Sequence, residues 1–266
     1  MPAAPVAKLT GNRARSRPRD DYARSVSRSR SPGWVPNQHG AWAMLASPLA
    51  VGILAGGPAW VHVPLTALWF VGYFAFFATS LWLKARRRPR YWPPVRAYGT
   101  GAALLGLVTL AVQPSLIVWA PLFIVPLGVG LWAAAARRER ELLSGLATVV
   151  GSGLMTVVAY AAGPGTDLQR AWLLALTQFL YFAGTVFYVK SAIRERGNHR
   201  FLGVSIAAHA VATVVVLTFS PWLALVFLLL TVRAAVVPGL GFTPKQLGIG
   251  EVVSTLVVAV VSLVTV

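Results

Sequence analysis

The sequence predicts an all-α integral membrane protein of about nine transmembrane helices, with its N-terminus cytoplasmic and its C-terminus outside. Three observations predict it. Hydrophobic residues make up 56% of the 266 and charged residues only 12%, whereas soluble domains carry about a quarter charged. Mean hydropathy is +0.66. Apolar runs near the length needed to cross about 30 Å of hydrocarbon recur from Ala41 to the C-terminus.

Each run must satisfy its own backbone hydrogen bonds in a medium without water, which runs of this length do as helices. They are placed near 41–56, 63–83, 97–113, 115–136, 142–162, 171–192, 201–219, 221–237 and 247–265. Residues 1–36, rich in Arg, Ser and Pro, read as a disordered basic tail that cannot bury enough apolar surface to offset its ordering entropy. No signal peptide is evident, because the first apolar run follows this long tail.

Charge tests the topology independently, since short cytoplasmic loops retain Lys and Arg. With the tail inside, 23 of the 24 Lys and Arg residues fall on one side, and only Arg170 falls on the other. The net charge of +17 would suggest a nucleic-acid partner in a soluble chain. Basic residues lying between apolar runs point instead to membrane lipids, with anionic headgroups on the cytoplasmic side as the expected partner and no nucleic acid. The chain has no Cys, which excludes disulfides, thiolate metal sites and Cys nucleophiles.

The softest boundary is Ala133–Leu143, which lacks Gly and Pro. Arg137 and Arg138 suit a helix C-terminus and Glu139 and Glu141 an N-terminus, so a tight turn is expected there. The turns at Gln113–Ser115 and Phe219–Pro221 are short enough to be either reversals or Pro kinks. Small residues at Gly99, Gly101, Gly128, Gly130, Gly151, Ser152 and Gly153 suit close helix packing.

Four groups of residues could carry chemistry. Asn37, Gln38, His39 and Trp42 stand at the mouth of the first helix, where His39 could bind an anion, shuttle a proton or ligate a metal with Asn37 and Gln38 orienting the ligand, or Asn37 caps the helix and His39 meets headgroups. Arg138 and Glu139 occupy the fourth loop, and Lys190, Arg194, Glu195 and Asn198 the sixth. Lys190 and Arg194, four residues apart, share a helix face and could grip one phosphate or carboxylate, or serve only as topology determinants. His209 lies about 12 Å inside the seventh span, where an ionisable group usually faces a cavity or a partner; Gln178 is a candidate partner, and a neutral ring donating to a neighbouring backbone carbonyl is the structural alternative. His62 is read as solvated in the first outer loop, and Glu251, at the start of the last helix, as a cap.

No DDxxD, P-loop, GxSxG or HExxH sequence occurs, and no metal or other cofactor is expected. The segments Pro36–Met44, with its His-Gly-Ala-Trp-Ala-Met start, Arg138–Gly145 and Phe187–Asn198 resemble the YwiC-like family of bacterial membrane proteins. That resemblance implies a multi-pass protein of the bacterial inner membrane and supplies no activity to carry over. A fainter similarity, in Ala136–Gly163, is to the UbiA-type intramembrane prenyltransferases. It implies a nine-helix bundle, but Lys84–Arg88 and Lys190–Arg196 stand where those enzymes place Mg²⁺-binding aspartates. Three functions stay open: a carrier for an anionic lipid or small anion using His209 for proton coupling, an enzyme on an isoprenoid or lipid substrate with Lys190, Arg194 and Arg138 at the leaving group, and a non-catalytic accessory subunit.

Overall fold

The computed structural model describes residues 33–36, 41–139 and 141–266, and these hold nine α-helices. They are α1 (Ala41–Gly56), α2 (His62–Lys84), α3 (Trp92–Val112), α4 (Ile124–Ala135), α5 (Leu142–Ala162), α6 (Leu168–Ile193), α7 (His199–Leu217), α8 (Pro221–Val236) and α9 (Pro244–Thr265). Eight helical segments are long and apolar enough to cross a membrane, and α1 is a shorter apolar helix. The chain is an all-α, multi-pass membrane protein.

Helix starts follow local chemistry. Asp167, Asn198 and Ser220 each accept from a backbone N–H in the first turn of α6, α7 and α8. Thr243 and Gln246 form a reciprocal capping box on α9. Pro at N1 or N2 opens α3, α8 and α9, where the missing N–H costs nothing. The turn expected in Ala133–Leu143 is present, with α4 ending at Ala135 and α5 starting at Leu142. It turns on Arg137 at φ 60°, a left-handed position that glycine usually fills.

One span departs from the expected α-helix. Residues Pro114–Phe123 wind as a 3₁₀ helix before α4 begins. Pro121 and Pro126 each remove a backbone donor within this span, and the tighter 3₁₀ winding accommodates the loss.

Cross-links show that successive helices alternate in direction. At one end, Arg137 Nη2 donates to the Lys84 carbonyl (3.3 Å) and Arg196 Nη2 to the Phe242 carbonyl (3.1 Å), joining the α2–α3, α4–α5, α6–α7 and α8–α9 connections. At the other end, Gly165 N–H donates to Gly56 O (2.8 Å), Arg170 Nη2 to Leu263 O (3.2 Å), and Ser220 pairs with Thr265 (2.8 Å). The first is called the basic end here, because of all Lys and Arg in the described helices and loops only Arg170 lies at the other.

The centre of the bundle is α5 and α6, each burying eleven residues. α1 crosses α5 at the Gly52 and Gly56 positions, where an added Cβ would stand 2.4 Å from Thr156 O and 2.5 Å from Tyr160 O. Backbones this close use the small-xxx-small spacing of membrane helix pairs. Gly99 and Gly128, expected to pack closely, meet nothing within 4 Å; their faces are not helix contacts.

Gly33–Pro36, read from sequence as part of the tail, includes contacts to α3: Tyr98 Oη donates to Trp34 O at 2.7 Å and the two rings meet edge to face.

Candidate functional site

The sequence candidates separate into distinct places. Asn37, Gln38 and His39 lie outside the described residues. Trp42 packs among Phe70, Tyr73 and Phe74 of α2. Glu139 is ion-paired with Lys84 at 2.9 Å and Arg138 with Glu141. Asn198 caps α7 and donates to Glu195 at 3.0 Å, while Lys190 sits over the Phe201 ring. Arg194 is the C-cap residue of α6. No hydrogen bond or ion pair among the described residues joins the α4–α5 group, the α6–α7 group and His209.

A cavity of about 500 Å³ lies between α1, α2, α3, the 3₁₀ segment, α4 and α5. Its wall is Leu65, Leu68, Trp69, Phe76, Leu110, Leu116, Phe123, Met155 and similar side chains, and among the described residues it includes no Asp, Glu, His, Lys or Arg. None of the eight sequence candidates among the described residues lines it. The few polar side chains on the wall mostly turn back to backbone: Thr109 Oγ1 donates to Leu105 O, Thr148 Oγ1 to Ser144 O and Trp69 Nε1 to Leu45 O. Ser152 Oγ donates to Met44 O. That carbonyl is free because Pro48, four residues on in α1, has no N–H to offer it. The 3₁₀ winding lies on this wall, so the prolines that interrupt the α-helix also shape the cavity.

A second feature occupies α6–α9. Glu251 and Arg233 form an ion pair at 2.8 Å, with side chains 13% and 18% exposed. Tyr181 Oη (3.1 Å) and Thr185 Oγ1 (2.8 Å) donate to the same Glu251 oxygen. Arg233 also donates to Ser254 and lies over the Tyr188 ring at 4.3 Å. Glu251 is therefore not a cap: it is the eighth residue of α9 and binds α6 and α8 sideways. Its signal was in the sequence, since of the seven acidic residues it alone falls within an expected span. What the sequence lacked was the partner set, which comes from two other helices.

One histidine is also relocated. His62 is buried, not solvated: Nδ1 accepts from Ala59 N–H and Nε2 donates to Ala159 O, both at 2.8 Å. His209 is buried and its Nδ1 donates to Ser205 O at 2.7 Å. Gln178 is not its partner, because the Gln178 amide oxygen accepts from Ser47 of α1 at 2.9 Å. His209 packs instead on Gly184 of α6, where a Cβ would come within 2.9 Å of Nε2.

Comparison with known proteins identifies the family of the chain. The family model described as YwiC-like protein matches residues 35–160, a stretch that contains every residue lining the cavity. "Uncharacterized protein YwiC" of Bacillus subtilis (strain 168) is 33% identical over 222 residues, covering 83% of this chain and 92% of its own. An "Uncharacterized protein" of Haemophilus influenzae is 26% identical over 231 residues, covering 86% of this chain and 97% of its own. No solved structure matches. With that likeness running nearly end to end between two chains of the same span, the protein belongs to the YwiC-like family.

Proposed function

We propose that this protein handles a lipid within the bacterial inner membrane, taking the apolar body of the molecule into the α1–α5 cavity. One observation carries the reading: about 500 Å³ of space bounded almost wholly by aliphatic and aromatic side chains, a volume in the range of small-molecule sites. An apolar occupant needs no charge partner, and the described part of the wall supplies none. Its one titratable side chain among the described residues is Tyr73, whose buried hydroxyl has no hydrogen-bond partner there and offers a single polar anchor, which favours binding or transfer of the lipid over chemistry on it. In this reading the basic end faces the cytoplasm, and Lys84, Arg138 and Lys190 with their neighbours meet the anionic headgroups of the surrounding leaflet.

The test is lipid content. Gly72 and Gly106 line the cavity, and a Cβ meets nothing within 4 Å at Gly72 and only Leu68 Cδ1 at 3.9 Å at Gly106. Gly72→Phe and Gly106→Phe therefore add bulk to the space without striking backbone. Mass spectrometry of lipid carried through purification in mild detergent is expected to find a lipid class enriched over the bulk membrane. Its yield should fall at least about tenfold in either variant, for the loss of roughly 1.4 kcal/mol or more. Equal lipid content in both monodisperse variants would remove the reading.

A further inference from the structure

The two buried histidines differ in one respect that matters. His62 has both ring nitrogens engaged, one accepting from an N–H and one donating to a carbonyl, which ties the start of α2 to α5. His209 has only one engaged. Because Ser205 O can only accept, Nδ1 of His209 carries the hydrogen. Nε2 then holds a lone pair, and it has no hydrogen-bond partner among the described residues. It faces α6 at Gly184, the one residue type that leaves room beside it.

The surroundings are polar well inside the membrane span. Glu251 reaches α6 at Thr185, the residue next to Gly184, so both side chains approach α6 at consecutive positions. The charged and titratable groups that bear on His209 are Arg233 of α8 and Glu251 of α9, and Tyr181 and Tyr188 of α6 join the same network. Counted at 1.5 Å per residue from the basic ends of their helices, Arg233, Glu251, His209 and Tyr181 lie about 5, 10, 15 and 18 Å deep. They form a polar series leading inward from the basic end. Several buried polar atoms along it have no hydrogen-bond partner among the described residues: Arg233 Nε and Nη2, and Ser205 Oγ. Unpartnered buried donors of this kind are where ordered water sits.

We propose that the α6–α9 centre is an intramembrane proton-binding site, in which Nε2 of His209 accepts a proton arriving from the basic end and the Glu251–Arg233 pair sets the charge balance. The step adds one proton to the imidazole lone pair and breaks no bond. The resulting cation is balanced by Glu251, whose carboxylate is shared with Arg233. This inference is independent of the lipid cavity, which lies among other helices.

The experiment is ¹⁵N NMR of the full chain, labelled at its four histidines, in phospholipid nanodiscs between pH 4 and 9. His209→Gln assigns the resonance by its loss. At high pH the expected spectrum of His209 is the neutral form with hydrogen on Nδ1, changing to imidazolium as the pH falls. The midpoint should move down in Glu251→Gln, which removes the balancing anion, and up in Arg233→Gln, which removes a repelling cation. A His209 signal that never titrates, that shows hydrogen on Nε2 at high pH, or that is indifferent to both substitutions overturns the proposal. If the charge variants do not fold, titration in the unaltered protein decides it alone.

Discussion

The two halves of the bundle solve the same packing problem differently. In α1–α5 the helices leave about 500 Å³ unfilled, and the hydroxyls of Thr109 and Thr148 are returned to their own helices. In α6–α9 the interior is closed by Phe227, Leu223, Val216 and Val258, and polar side chains reach across helices: Tyr181 and Thr185 to Glu251, Arg233 to Glu251 and Ser254, Thr213 to Thr231. Lipid tails are as apolar as leucine, so neither half gains much from hiding its side chains from solvent. Contact and hydrogen bonding hold the helices together instead. Within α6–α9 these bonds join side chain to side chain; within the α1–α5 interior they end on backbone carbonyls, as from Trp69 to Leu45, Ser152 to Met44 and His62 to Ala159, and space is left to admit a guest.

That contrast can be broken in several places. Gly52→Leu is expected to have the largest effect, because a Cβ at 2.4 Å from Thr156 O forces α1 off α5. Loss of a monodisperse peak in size-exclusion chromatography is the expected outcome, and normal elution with an unchanged Tm would contradict the α1–α5 crossing. Next, Glu251→Leu leaves Arg233 without its anion and should cost about 3 kcal/mol. The double variant Arg233→Met with Glu251→Leu should recover most of that, since neither charge is then stranded; unfolding in sodium dodecyl sulfate measures both. A double variant no more stable than the single would show that the pair holds the bundle together on its own account.

Paired truncations sharpen the comparison further. Leu223 is fully buried in the closed half and Leu110 borders the cavity. Leu223→Ala should cost about 3 kcal/mol and Leu110→Ala about 1, because the second removes contacts from one side only. Equal costs would mean that the cavity is not open space. The smallest effect belongs to Lys84→Met. Its pair with Glu139 is 46% and 30% exposed, so screening holds the loss below about 0.5 kcal/mol, and a Tm change of less than about 2 °C is the expected result.

Much of this architecture was legible in the residue order. The span boundaries of α1, α5 and α8 match the expected ranges to within one residue, because hydrophobic length and helix-capping residues are local properties. The turn at Arg137 was legible for the same reason: the charges on either side of it complement two helix ends. The Gly52–Gly56 spacing was present in the sequence too, yet so were Gly99, Gly101 and Gly128, and spacing alone does not say which glycines meet a neighbour. The eleven candidate site residues were chosen for charge and polarity. The cavity escaped that search because its wall is made of the same Leu, Phe and Trp that any span contains.

The sequence by itself therefore determined that the chain crosses a membrane as helices, to within a few residues where most of those helices lie, and that nearly all the cations of the described loops share one end. Only the tertiary structure decided what each helix face touches. It turned Glu251 from a terminal residue into a three-helix contact, moved Gln178 from His209 to Ser47, and set the prolines of the 3₁₀ segment around an open volume. The physical reason is range: transfer into hydrocarbon and capping act within a few residues of the chain, whereas contacts and voids depend on side chains separated by tens to more than a hundred positions.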